Sequence, residues 1–176
     1  MSAIAALVKA RLPRLDHEAV VEVRGGDADD GRGDVDVFVV KANDVVVLAG
    51  FLARDRDASF DCFVDACVVE RGLRLWWVVC LASRAHEARL QIRCVLDDDD
   101  PTVPTLTTLF PQAWSAEREA WEMFGVTPHG HPSLRRQLLP TGFAGHPGRA
   151  RYKLHKAQPQ VRPAAAPAHV VVGGDE

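Results

Sequence analysis

Between residues 73 and 96 the sequence carries two apolar alternations joined by five residues. Leu73, Leu75, Trp77, Val79 and Leu81 fall on one face, and Trp76, Val78 and Cys80 on the other. After the connection SRAHE, Leu90, Ile92, Cys94 and Leu96 alternate with Arg89, Gln91 and Arg93. A period of two at this length specifies strands, and so short a connection specifies a hairpin. The first strand is apolar on both faces, so it belongs inside a sheet covered by helices on at least one side.

The flanking segments fit around that hairpin. Residues 3–12 read as a short helix, and 19–24 and 35–40 as two strands around a Gly/Asp-rich loop. Asn43 or Asp44 caps a helix with Val45, Leu48 and Leu52 on one face. Phe60, Phe63 and Val64 give a second helix over about 58–66, and 103–110 reads as a short helical piece. A helix over 115–124 takes Ser115 as its N-cap, with Glu117 near its positive end. Past Gly125 the chain is broken by Gly and Pro, and only 132–139, with Pro132 opening it, has room for two helical turns. The expected fold is α+β, a mostly antiparallel or mixed sheet flanked by helices, with an extended C-terminal arm. Residues 1–125 form the globular unit, 126–156 a basic docking arm, and 157–176 a flexible tail.

Charge separates these parts. Residues 1–122 hold 14 Lys/Arg against 22 Asp/Glu, whereas 123–174 hold seven Lys/Arg and no acid. The net charge of −3 does not suit a generally basic nucleic-acid binder. The arm either folds back on the acidic body or binds an acidic surface elsewhere. Its apolar anchors (Val126, Leu134, Leu138, Leu139, Phe143 and Leu154) are too few to offset the entropy of ordering it, at about 1–2 kcal/mol per residue. A chain ending at Phe124 is therefore expected to keep most of its cooperative folding. The longest apolar runs, 45–53 and 75–82, fall short of the roughly 20 residues that span a bilayer. The first charges follow the N-terminal apolar stretch rather than precede it, unlike a signal peptide, so a cytosolic location is expected.

Chemistry-bearing motifs are sparse. Cys62, Cys67, Cys80 and Cys94 include no CxxC pair, and Cys80 and Cys94 lie in apolar strands, where a thiol packs as a small hydrophobe. His129, His131 and His146 could supply zinc ligands, but His131 and His146 each stand in Gly-His-Pro, where backbone shape is the simpler reading. The run Asp97–Asp100 lacks the alternation of a calcium loop and reads as a solvated turn. Arg118 and Glu122 are spaced as an i,i+4 pair. The Arg32-Gly33-Asp34 triplet reads as chance. No P-loop, GxGxxG, HExxH or nucleophile elbow occurs.

One region is more specific. EREAWEMFGV at 117–126, GHPSLRR at 130–136, LL at 138–139 and GHP at 145–147 resemble the signature of the 30 kDa subunit of NADH-quinone oxidoreductase, respiratory complex I. The similarity extends upstream through 97–116 and more loosely through 35–96. It departs from the family pattern at Pro128, Ser133, Gln137, Gly148 and Arg151. The resemblance implies a structural and assembly subunit of the hydrophilic arm, peripheral on the cytoplasmic face of the membrane, without a catalytic site of its own. It implies that FMN and iron–sulfur clusters lie in partner subunits, and that the partners are the quinone-site subunit and the iron–sulfur subunits. Glu117, Arg118, Glu119 and Glu122 would then form the helix side of a charged anchor. Gly125, His131, Pro132, Arg135, Arg136, His146 and Arg149 would form the turn and the arm side. The alternatives are the equivalent subunit of a group 4 [NiFe] hydrogenase-type complex and, in another class, a nucleic-acid-binding module resting on the acid-free arm.

Overall fold

The computed structural model describes residues 3–12 and 35–153. Helix α1 (Ala3–Arg11) is followed by β1 (Asp36–Val39), α2 (Asp44–Arg54), β2 (Cys62–Arg71), β3 (Arg74–Ser83) and β4 (Ala88–Leu96). The short β5 (Thr102–Pro104) precedes α3 (Ala113–Glu119), which widens into one π turn, Ala120–Phe124, before β6 (Thr127–His129). The main sheet runs β1-β4-β3-β2, with β1 parallel to β4 and the other pairs antiparallel. β5 and β6 form a separate parallel pair.

The hairpin forms as its alternation requires. Trp77 faces Cys94, Val79 faces Ile92, and Leu81 faces Leu90, all buried on one side of the sheet. β3 lies between β4 and β2, an interior place that matches its two apolar faces. Val45, Leu48 and Leu52 of α2 close over the same core, together with Ala5 and Val8 of α1. Arg11 holds α1 in place by reaching Asp55 at 2.5 Å and Asp57 at 2.6 Å beyond the end of α2. The opposite face is more open and carries Trp76, Val69, Cys80 and Arg93, all half-buried.

Several local expectations are corrected. Residues 58–66 are not a helix. Phe60 closes the turn after α2 by donating to the Leu52 carbonyl, and from Cys62 the chain pairs with β3, burying Ala66 and Val68. The spacing of Phe60, Phe63 and Val64 is open to either period, and pairing with an apolar neighbour decides it. Within 103–110, β5 takes the first residues and a single turn from Leu106 to Phe110 the rest. The helix expected at 115–124 starts at Ala113, with Gln112 at its N-cap, and Ser115 binds Gln137 instead. Asn43 does stand at the N-cap of α2, though without a side-chain cap bond. Residues 132–139 form no helix. Cys94 is a fully buried core thiol with its pKa pushed up to about 12 by burial, whereas Cys80 is half-buried on the open face. The segment 19–24, the Arg32-Gly33-Asp34 triplet, residues 154–156 and the tail 157–176 lie outside the described residues.

Candidate functional site

The junction between the body and the C-terminal segment is built on the π turn. In that wider turn Glu122 leaves the i,i+4 row it would share with Arg118 on a regular helix. No ion pair forms between them. Glu122 is buried instead and accepts backbone N–H groups from Gln137 at 3.0 Å, Leu138 at 2.9 Å and Leu139 at 2.6 Å. Those donors are thereby diverted from any helical ladder, which is why 132–139 stays irregular. The Arg136 guanidinium lies 3.9 Å from the same carboxylate, 5.7 Å from the Trp121 ring centroid, and donates to the Phe143 carbonyl. Burial pushes the Glu122 carboxyl up, but the three N–H donors and Arg136 outweigh it and hold it below the usual range.

A second tie follows the turn. Gly125 has φ of 75°, and a Cβ there would meet the His146 ring at 2.9 Å. That ring packs against the helix end and donates from Nδ1 to the Glu122 carbonyl at 3.1 Å. Gly148 donates to the Met123 carbonyl, and a Cβ at Gly148 would lie 2.8 Å from the Phe124 ring. Arg149, buried, donates to the Phe124 carbonyl and pairs with Asp98. Arg151 reaches the same carboxylate at 2.8 Å, and the Ala150 N–H donates to Glu70 at 2.7 Å.

The other helix residues divide between inside and outside. Glu117 is fully buried and turns away from the arm, accepting from the Leu106 N–H at 2.5 Å and the Thr105 hydroxyl at 2.6 Å. Burial raises its pKa, and these donors with His131 only partly oppose the rise. Arg118 donates to the Ser133 carbonyl and hydroxyl and lies 4.9 Å from the Trp114 ring centroid. His131 sits 5.0 Å from the same ring, accepts the Ser133 N–H at Nδ1 and so carries its proton on Nε2, facing the Trp114 carbonyl. Glu119, Pro132 and Arg135 are exposed, and neither Glu119 nor Arg135 has an ion-pair partner among the described residues.

The structure thus brings Glu122, Gly125, Arg136, His146 and Arg149 together, and Arg118 with His131. It sets Glu117, Glu119, Pro132 and Arg135 apart from that cluster. His131 and His146 make separate contacts, His129 is exposed, and no group of three or more metal-ligating side chains converges among the described residues. Asp98, Glu70, Ser133 and Gln137 are partners that no local pattern in the sequence marks. The run Asp97–Asp100 is no mere solvated turn, because Asp98 takes two arginines from the arm. The signal available is complementarity between this acidic run and an acid-free segment. Four of the five departures from the family pattern also make contacts here: Ser133 with Arg118, Gln137 with Ser115, Gly148 with Phe124, and Arg151 with Asp98. Pro128 pairs with Val103 across β5 and β6. Apolar burial alone underestimates the hold on this segment, which up to Lys153 rests on the body chiefly through polar ties.

A mixed sheet with one parallel edge strand, flanked by helices, is an α+β fold shared with solved structures. The Nqo5 trypsin-resistant fragment (1–134) matches with a TM-score of 0.54 and 22% identity, covering 76% of this chain and 100% of the fragment. A chain of the membrane-bound sulfane sulfur reductase, an archaeal respiratory membrane complex, matches with a TM-score of 0.59 and 17% identity over 78% of this chain and 77% of the other. At these identities the likeness is one of fold. The chain belongs to the family of the 30 kDa subunit of respiratory-chain NADH dehydrogenase, whose model matches residues 38–158. It is 37% identical to the C subunit of NADH-quinone oxidoreductase from Herpetosiphon aurantiacus over 128 residues, 71% of this chain and 74% of that one. The same subunit from Methylorubrum populi is 36% identical over 66% of this chain and 54% of its own length. For Burkholderia mallei the figures are 38%, 64% and 61%.

Proposed function

We propose that this chain is a structural and assembly subunit in the hydrophilic arm of an ion-translocating NADH:quinone oxidoreductase, and that electrons pass through its neighbours. The observation carrying this reading is the family match over 38–158, which spans the sheet, the π turn and the segment tied to it. In this reading FMN and the iron–sulfur clusters belong to partner subunits, and the chain contacts the quinone-site and iron–sulfur subunits. The site residues serve that contact by shaping a rigid surface: Glu122, His146 and Arg149 set the path of the segment, and the exposed Glu119, Pro132 and Arg135 face outward. No helix among the described residues is long and apolar enough to cross a membrane. In this reading the chain attaches on the cytoplasmic face through the complex. The nucleic-acid reading loses its main support because Arg149 and Arg151 are paired with Asp98 and Arg136 lies beside Glu122.

The test is affinity purification of the tagged chain from solubilised membranes, with mass spectrometry of its partners and NADH:quinone activity in a deletion strain. Stoichiometric recovery with quinone-site and iron–sulfur subunits, and loss of activity on deletion, is the expected result. A chain found free of any membrane complex overturns the reading.

A further inference from the structure

Two arginines at the outer side of α3, Arg118 and Arg135, form no ion pair among the described residues. Arg118 is only 7% exposed, and its three hydrogen bonds all go to the neutral oxygens of Ser133. Its Nη1 meets no acceptor among the described residues. Arg135, exposed and without an ion pair among the described residues, adds like charge; burial first and Arg135 second lower the Arg118 pKa. No acid of the same helix pairs with Arg118 or Arg135 among the described residues. Glu117 is turned inward to Thr105 and Leu106, Glu122 is saturated by residues 137–139, and Glu119 is exposed and forms no ion pair with either arginine. A recessed guanidinium without a carboxylate is costly in a free chain and favourable once a carboxylate arrives.

Apolar surface adjoins these cations. Trp114 is 37% exposed, held by Arg118 and His131 at its ring. Gln137 ties the segment to Ser115, and the next residue, Leu138, is 57% exposed. Aromatic and Arg side chains set beside exposed aliphatic surface are the composition of interface anchors.

We propose that the Trp114–Arg118–Arg135 patch docks an acidic segment of a neighbouring subunit, one partner carboxylate bridging the two guanidiniums while an adjoining aliphatic side chain rests on Trp114 and Leu138. A planar carboxylate on a side-chain stem fits a recessed fork. This rests on the proposed subunit role and names the chemistry of one contact within it.

The test uses the assembled complex. Arg135→Lys keeps the charge and adds an amine that a carbodiimide couples only to a carboxylate in direct contact. Mass spectrometry should map this cross-link to an Asp or Glu of another subunit. Arg151→Lys, facing Asp98 of the same chain, is the internal control and should give an intrachain link. Arg135→Glu should lower recovery of the chain in the complex by about tenfold or more, with its thermal melt unchanged. A chain that assembles, gives the control link and shows no inter-subunit link from position 135 overturns the proposal while leaving the subunit role standing. Binding of the isolated full chain to phosphatidylglycerol vesicles that Arg135→Glu abolishes, without an inter-subunit link, assigns the patch to lipid and likewise overturns it. A chain that joins no complex refutes the subunit role itself.

Discussion

The carboxylate of Glu122 receives the backbone N–H of Leu139 across 17 residues of chain at 2.6 Å, with the N–H groups of Gln137 and Leu138 beside it. A buried side chain thus does for an irregular segment what a helical ladder does for a regular one. Glu122→Gln replaces one acceptor oxygen with an NH2 group that faces donors, and is expected to cost about 1–3 kcal/mol in chemical denaturation. Because the folded pKa is depressed below the ordinary Glu value of 4.5, the stabilisation is present above that value and lost as pH falls through the folded pKa. The variant should therefore show a flatter acid limb than the wild-type chain.

Glu117 should behave in the opposite sense. Its folded pKa is raised above 4.5, chiefly by burial, so its contribution is full below that value and declines as pH rises through the folded pKa. Glu117→Gln keeps an acceptor for the Leu106 N–H and a donor for the Thr105 hydroxyl. It should be near neutral or stabilising at pH 7 and relatively worse at pH 4, read from melts across that range.

Truncation after Phe124 removes the donors to Glu122, the His146 cover of the helix end and the Arg149 bond to the Phe124 carbonyl. Val126, which is fully buried, goes with them. Contrary to the expectation from apolar anchors alone, the shortened chain should lose its cooperative melt. A sharp transition near the full-length value would show that the polar ties contribute little.

Gly148→Ala places a Cβ 2.8 Å from the Phe124 ring and 2.9 Å from the Met123 carbonyl oxygen, a backbone atom. Overpacking of this kind is expected to cost about 1–3 kcal/mol. Gly72→Ala is a control for positive φ without crowding, since its backbone has φ of 64° and no atom lies within 4 Å of the added carbon. The Gly148 variant should be the less stable of the two in parallel melts.

The thiols should alkylate in order of exposure. Cys67 is exposed and Cys94 is buried with its pKa pushed up to about 12. Timed labelling in the native state should modify Cys67 first and leave Cys94 unmodified until the chain unfolds.

The sequence alone determined whatever has a local period. The alternation through 73–96 specified the hairpin and its interior strand, and Val45, Leu48 and Leu52 specified α2. The unusual string from Glu117 to Arg136 pointed to the family. Where two periods competed, as at Phe60, Phe63 and Val64, only the neighbouring strand decided, because a short apolar segment takes the conformation that buries it best. The junction was legible as a set of charged residues but not as a set of pairs. Arg118 and Glu122 looked like partners by spacing, yet a π turn and a segment arriving from 15 residues further on gave each a different one. Hydrogen bonds of that reach depend on which groups burial strips of water and what then lies within about 3 Å, and only the folded chain supplies that geometry.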